Sequence, residues 1–548
     1  MSKIIPLITQ LCYIKRKMFF ISFMVIFATY DDFCYNLFHL HTKEIPEMLR
    51  VMLVFLSIAT VAPAFAAIDV SAYAITPSPT AVMVTFANGP DSRGFSWQTD
   101  TSVTESEVRL VAGAASPADF ETTPLVYNGT CVQVVDTNRG TTPLGNCHKV
   151  LVTGLQPGTA YSYRLGGAGR YVYGRTDVRN VTDRLTIVNL NDAQMTDPTK
   201  VSTWENSLAA SVRAVGGAAN VDFIIYGGDI FDQNLKFNNA YVTVPVKWGL
   251  ALDPVFSFYN GVPFVSSSGN HDYREYPTRM PIEYPTNLAG CQSLDYGNIH
   301  VATIPNTGHD TYSEYVNYLN WLESDLAADV AKGTSAWRIV CVHWGPYTTG
   351  DHAQTAGAKE LAKRLGGICA SNKVDLVLQA HDHTFSKTLP YRWSGAGWTN
   401  ETNDNTVVNL APATSAYAGE TWDENPNGTY YLSCGSAGHR VGEGTAYANL
   451  DGAHPYNAWR PVIAIGKIAV ASKWGNVGDP ASSDLGRSMF GVIRVDGYRL
   501  SYDFYMIDPD NGSHVLYDKL RIYKTGGKAG GLRVSIVKDA SGAVVPHT

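Results

Sequence analysis

Charged residues are scarce: Asp, Glu, Lys and Arg make up 17% of the 548 residues, against about a quarter in an average soluble domain. No run of like charge occurs, and the small surplus is acidic, a formal net charge of -7. Broad nucleic-acid binding calls for a basic face, so no nucleic-acid surface is expected. Cys-x-x-Cys is missing from the eight cysteines, which argues against a zinc knuckle or a dithiol redox motif. There is no internal repeat, which excludes a repeat array. What is present is apolar and turn-rich: hydrophobic residues reach 45%, with 31 Tyr and 49 Gly, as suits a β-rich globular protein. The length exceeds one ordinary core and points to two or three domains.

Met48-Leu49-Arg50, the apolar run Val51 to Val61 and Ala64-Phe65-Ala66 have the form of a signal peptide, assigned to residues 48–66. Residues 1–47 read as a gene-model extension or leader. Their apolar stretch, Met18 to Thr29, is short of the ~20 residues a membrane span needs; an anchored precursor is the alternative, and no stable span is expected after processing. Export to the outside or to an endo-lysosomal lumen agrees with five Asn-x-Ser/Thr sequons, at Asn128, Asn180, Asn400, Asn427 and Asn511. Cys131 and Cys147 bracket a turn-rich segment and could form a local disulfide; the pairing of Cys291, Cys341, Cys369 and Cys434 is open.

Residues 67–181 show short strands and turns. Val82, Val84 and Phe86 alternate before the break at Asn88-Gly89-Pro90. Leu155-Gln156-Pro157-Gly158 leads into Tyr161-Ser162-Tyr163, which resembles the tyrosine corner of fibronectin type III sandwiches. A small all-β sandwich with a structural or recognition role is expected there, since it holds no catalytic cluster. At Leu185 buried-type strands begin to alternate with helices. Strands are expected at 185–190, 221–226, 264–267, 337–342 and 374–379, and helices at 202–215, 313–331 and 353–371. Such an α/β domain binds ligands past the C-terminal ends of its strands. Residues 384–429 and 438–482 read as irregular, and 488–495, 499–506 and 515–523 as closing strands. The second domain is placed at 182–524, with a tail at 525–548.

Five short motifs fall at the ends of five of these strands. They are Asp192-Ala193-Gln194, Gly228-Asp229-Ile230-Phe231-Asp232, Gly269-Asn270-His271-Asp272, His343-Trp344-Gly345-Pro346-Tyr347 and Ala380-His381-Asp382-His383. Asp192-Ala193-Gln194, Gly228-Asp229 and His381-Asp382-His383 are alone ordinary polar turns or loops, and Gly269-Asn270-His271-Asp272 is a stronger signal; it is the ordered set that carries the reading. Carboxylate, amide oxygen and imidazole are ligands for hard and borderline dications. Two such ions about 3.5–4 Å apart clamp both oxygens of an in-line displacement at phosphorus, and a shared carboxylate holds them that close. His271 directly follows the Asn and could protonate a leaving group.

The order and spacing over 185–385 resemble the calcineurin-like metallophosphoesterase family. The layout of sandwich, catalytic domain and closing strands resembles its purple acid phosphatase branch. The resemblance implies a layered α/β/β/α sandwich and two metal ions per chain (Fe, Zn, Mn or Mg). It implies that Asp192, Gln194, Asp229 and His383 hold one metal, and Asp229, Asn270, His343 and His381 the other. A hydroxide between the metals would attack phosphorus, with His271 as general acid or stabiliser of the transferred group, oriented by Asp272. The chain departs from the family pattern at three positions. Gln194, a weaker ligand, stands where His is common, and Ala380 where Gly is common. Asp232 stands where purple members place a Tyr, so the protein is expected not to be purple.

Tyr347 and His352 follow the fourth motif and are candidates for the substrate pocket, with ordinary loop roles as the alternative. His300 reads as a satisfied core histidine, and His439 and Arg440 as surface-loop residues. The expected function is exported, acid-phosphatase-like hydrolysis of small phosphate esters. A phosphodiesterase or nucleotidase is the alternative. The rival from another class is a weakly active metal-binding recognition protein, which Gln194 alone favours.

Overall fold

The structure, a computed structural model, describes residues 73–525 apart from 88, 136–139, 141, 196–199, 275–287, 307–310, 349–351, 353–355, 394–406, 410–412, 439–462, 468–487 and 509–511. The leader and signal segments, Asn400, His439, Arg440, Asn511 and the tail beyond 525 lie outside the described residues.

The N-terminal part contributes β1 (Thr80–Thr85), β2 (Arg93–Thr99), β3 (Glu107–Ala112), β4 (Leu125–Asn128), β5 (Thr130–Val135), β6 (Pro143–Val152), β7 (Thr159–Gly167) and β8 (Arg170–Val178). They form two antiparallel layers, β1-β2-β6-β5 and β4-β3-β7-β8. Val82, Val84, Trp97, Val108, Leu110, Val150 and Tyr163 fill the space between them, as period-two alternation requires. Gln156 N–H donates to the Tyr161 hydroxyl at 3.1 Å, the backbone contact of a tyrosine corner. In the β5–β6 pair Cys131 lies opposite His148, and Val132 opposite Cys147. Opposed residues share a face and successive ones alternate, so the two cysteines point to opposite faces and are not joined by a disulfide. The disulfide expected between them is corrected on that ground.

The second part contains β9 (Arg184–Leu190), α1 (Val201–Ala214), β10 (Phe223–Tyr226), β11 (Lys236–Phe237), β12 (Ala240–Tyr241), α2 (Val244–Tyr259), β13 (Phe264–Ser266), β14 (Gln292–Tyr296), β15 (Ile299–Ile304), α3 (Tyr312–Lys332), β16 (Trp337–Trp344), α4 (Ala356–Ser371) and β17 (Leu376–Ala380). It continues with β18 (Phe385–Thr388), β19 (Tyr391–Trp393), β20 (Val407–Asn409), β21 (Ala413–Tyr417), β22 (Glu420–Glu424), β23 (Tyr430–Cys434), β24 (Ile463–Lys467), β25 (Met489–Asp496), β26 (Arg499–Ile507) and β27 (His514–Tyr523). The run β27-β26-β25-β9-β10-β13 faces the sheet β14-β15-β16-β17-β23-β18-β24. Ile187, Phe223, Ile225 and Ile493 meet Val301, Ile339, Cys341 and Leu432 between them. Helices α1 and α2 cover one outer face around Trp204, Leu208 and Trp248. Helices α3 and α4 cover the other through Leu319, Leu322, Leu361 and Leu365. The result is the layered α/β/β/α arrangement.

Two differences from the sequence reading have physical causes. Helix α2 is not among the helices expected from the sequence; it contains Pro245 and Pro254 and is apolar almost all round, burying Val244, Trp248, Leu250, Leu252 and Val255, so it lacks the one-sided pattern of a surface helix. Pro245 sits in the first turn, where a missing N–H breaks no helical bond. The segment read as irregular over 384–429 holds β18 to β22: β19 pairs with β20 and β21 with β22 within it, while β18 pairs with β23 and β24 and β22 also with β27.

The two parts are fused. β1 pairs in parallel with β13 through Thr85 and Phe264, so the outer sheet continues into the sandwich as one 12-stranded sheet. Phe86, just past β1, packs against the rings of Phe223 (5.8 Å) and Tyr296 (5.7 Å). Among the described residues no helix is long and apolar enough to cross a membrane.

Candidate metal centre

β9, β10 and β13 run parallel, as do β15, β16, β17 and β23. The five motifs lie at their C-terminal ends and meet at one edge. Sharp turns make this possible: Asp192 (φ 51°), Gln194 (31°), Asp229 (55°) and His381 (70°) are all left-handed. Each such non-glycine residue costs on the order of 1–3 kcal/mol, a strain that clusters at functional sites. Asp192 N–H donates to Gly228 O (2.9 Å) and Gln194 N–H to Asp229 O (2.8 Å), which stitches the first two motifs together. Gly269 is required by close approach, because a Cβ there would stand 1.9 Å from Asp229 Oδ1. At Gly228 (φ 102°) a Cβ would stand 2.7 Å from His343 Nδ1.

His343 fixes the logic of the centre. Its Nδ1 lies 2.8 Å from Gly227 O, and a carbonyl only accepts, so Nδ1 carries the proton. Nε2 then faces Asn270 Oδ1 at 3.0 Å and Asp229 Oδ2 at 3.3 Å, two more acceptors. Convergent acceptors are held together either by a second proton on the ring or by a cation. Without a cation, burial pulls the imidazole down but Asp229 and Asp192 push it up to about 10.

Asp229, His343 and His381 offer ligand atoms within 4.8 Å of one another, all buried. Asp192 Oδ1 lies 3.7 Å from His383 Nε2 and 4.0 Å from His343 Nδ1. Both its oxygens also accept from His381 N–H at 3.2 Å, and Oδ2 from Asn191 Nδ2 at 2.8 Å. Burial drives the Asp192 carboxyl up to about 7. Burial acts the same way on Asp229, but the His343 ring outweighs it and holds that carboxyl well below the usual range. Asp272 is raised by burial. The salt-bridge partners of Asp192 and Asp229 are imidazoles. Buried carboxylates, neutral imidazole and amide oxygen form a donor set that fits one or more dications, and the residues present fit the metals the fold implies.

Asp272 does not orient His271 in this structure. Its two oxygens accept backbone N–H from Gly269 and Ile230, each at 2.7 Å, so it ties the second motif to the third. The carboxylate facing the His271 ring is Asp232, with Nδ1 to Oδ2 at 3.4 Å, while Nε2 faces Asp229 Oδ2 at 3.9 Å. Tyr347 is corrected as a pocket residue. It is fully buried, bonds through its hydroxyl to Ala362 O (3.2 Å) and packs on Tyr431 (4.3 Å). His352 does reach the centre, its ring 3.8 Å from that of His381. Asp382 holds it there by accepting His352 N–H at 3.2 Å and the Thr348 hydroxyl. Ser436 is a support that sequence did not flag; its hydroxyl donates to Asp192 O at 2.6 Å. No local signal marks it, because it comes from the strand end beyond β23.

The calcineurin-like phosphoesterase family model matches residues 186–385, and the purple acid phosphatase N-terminal domain model matches 79–183. Similar proteins include purple acid phosphatase 21 of Arabidopsis thaliana, 22% identical over 258 residues, covering 45% of this chain and 54% of that protein. Acid phosphatase type 7 of Homo sapiens is 25% identical over 339 residues, covering 57% of this chain and 71% of that protein. The chain spans about half the length of the Arabidopsis purple acid phosphatases 21, 22 and 18 that it matches. In fold it is similar to a purple acid phosphatase from yellow lupin (Lupinus luteus) seeds, with a TM-score of 0.55 at 13% identity over 84% of this chain and 78% of that one.

Proposed function

We propose, for a chain that carries a calcineurin-like phosphoesterase domain behind a purple acid phosphatase N-terminal domain, that its metal centre hydrolyses small phosphate esters. The observation that carries this is the convergence of His343 Nε2, Asp229 Oδ2 and Asn270 Oδ1 at the ends of parallel strands. Asp192, Gln194, Asp229 and His383 would hold one metal, and Asp229, Asn270, His343 and His381 the other. Bound there, two dications supply an activated water and neutralise phosphoryl charge.

The chain's own residues do the rest. The Nδ1 edge of His271 faces Asp232 and its Nε2 edge faces the centre, so Nε2 can hold a proton for the leaving oxygen. His352, its ring against that of His381 at an interplanar angle of 49°, walls the centre where a substrate would contact it. A phosphodiesterase or nucleotidase would use the same groups and differ in the preferred ester. Gln194, in place of an imidazole, favours a second reading, a weakly active metal-binding recognition protein. We also propose export, with entry through the segment 48–66. The described sequons Asn128, Asn180 and Asn427 are all exposed, as glycosylation requires.

The test is turnover of a generic phosphomonoester and a phosphodiester by protein supplied with Fe, Zn, Mn or Mg, beside an Asn270→Ala variant. The wild type should turn over one of them and the variant neither. Equal turnover by the two proteins would rule out this centre as the catalyst.

A further inference from the structure

A cleft of about 390 Å³ opens at the seam between the sandwich and the layered domain. One wall is β8, with Arg175, Asp177 and the nearby Arg179; the other is formed by segments within 218–222 and 259–263. Asp222 precedes β10 and Pro263 precedes β13, so the cleft lies at the opposite end of the sheet from Asp229 and Asn270.

Its charges are unevenly committed. Arg175, 58% exposed, gives its Nε–H to Asp177 Oδ1 at 2.9 Å. That bond fixes the guanidinium plane and leaves the Nη1/Nη2 edge, which pairs in bidentate fashion with carboxylate or phosphate. Arg179 is engaged differently: Nη2 donates to the carbonyls of Ala219 and, at 2.9 Å, Val221, and Nη1 lies 3.5 Å from Asp222 Oδ1. Asp222 is itself bonded by Thr186 N–H (2.8 Å) and the Tyr296 hydroxyl (3.3 Å).

Behind β8, Arg93 is buried and donates to Thr176 Oγ1 (3.0 Å) and to the carbonyls of Pro90, Ser92 and Asp177. None of these acceptors carries a charge, and Asp91, which also acts on Arg93, is exposed. Arg175 and Arg179 are thus each paired with a carboxylate, Asp177 and Asp222, while Arg93 lies buried behind them with only uncharged acceptors bonded to it. Asn260 (φ 39°) accepts from Arg175 N–H (3.2 Å) and the Tyr163 hydroxyl (3.4 Å) through Oδ1. Its amide N–H₂ remains as a further donor at the cleft.

From this geometry we infer that the cleft is a second, non-catalytic site for a small tetrahedral oxyanion of the phosphate class, held by the Arg175 Nη edge and the Asn260 amide. Clefts of a few hundred Å³ at domain seams are common ligand sites, and an anion here would tie β8 to the α2–β13 turn.

Calorimetric titration of inorganic phosphate into the intact protein and three variants separates this site from the metal centre. Binding should persist in Asn270→Ala and weaken at least tenfold in Arg175→Ala. It should weaken similarly in Arg175→Lys, which keeps the charge but not the fork. Arg175→Ala should keep wild-type turnover within twofold, and sulfate should displace the bound phosphate. Loss of all binding in Asn270→Ala, or undiminished binding in both Arg175 variants, would overturn the assignment. So would displacement by acetate as effective as that by sulfate.

Discussion

His343 donates its Nδ1–H to Gly227 O and so turns Nε2 to the point where Asn270 Oδ1 and Asp229 Oδ2 converge. His271 stands beside them without joining the convergence. His271→Ala should therefore lower kcat by about 10²–10⁴-fold while the metal content stays at the wild-type level. A parallel loss of metal would make His271 a ligand or a structural prop instead. Asp232 faces His271 Nδ1, and no phenol occupies its position. Iron-loaded protein should accordingly lack the visible tyrosinate charge-transfer band, whereas a purple solution would contradict this arrangement. The five motifs were legible in the sequence because each is contiguous and chemically unusual at a strand end. The partners of Asp272 and the burial of Tyr347 were not. The first depends on how two loops close on each other, the second on α4 lying over β16. The cysteine pair failed for a similar reason, since β-register decides which face a side chain takes.

Between elements, His300 joins the β14–β15 hairpin to α3. Its Nδ1 lies 2.8 Å from Asp295 and its Nε2 2.8 Å from Asp325, with Asp329 at 3.8 Å. Lys332 pairs with Asp295 (2.5 Å) and Arg338 with Asp329 (2.7 Å), so the acids are balanced by cations of the chain itself. Both ring nitrogens face carboxylates, so the ring is an imidazolium. Burial alone would lower it, but Asp295 and Asp325 raise it from 6.5 to about 9. A folded pKa above the unfolded one means that the stabilisation is complete below pH 6.5 and is lost as pH rises through about 9. The effect is on the order of 3 kcal/mol. Denaturation midpoints should fall across that window in the wild type and flatten in His300→Gln; an unchanged slope would show that the clamp contributes nothing. The sequence identified His300 as a satisfied core residue, but its partners on α3 could be named only once the helix was docked.

Across the whole molecule the composition shift near 182 was visible, and the seam was not. The seam rests on a parallel pairing of Thr85 with Phe264, residues too far apart for any local pattern to connect. It is reinforced where Ala81 N–H donates to Asp253 Oδ1 (2.6 Å) and the Thr176 hydroxyl to Gly261 O (2.8 Å). The sandwich should therefore unfold together with the layered domain. Phe86→Ala is predicted to destabilise the protein by about 3–5 kcal/mol in one shared transition, and two separated transitions in the wild type would refute the fusion. The most direct test of the central claim is the metal content of the purified protein, by plasma mass spectrometry, with phosphate-ester turnover measured on the same sample. Two metals per chain and turnover that disappears on chelation are predicted. One metal or none, with no turnover after Fe, Zn, Mn or Mg is added, would contradict the hydrolase and leave the recognition protein in its place.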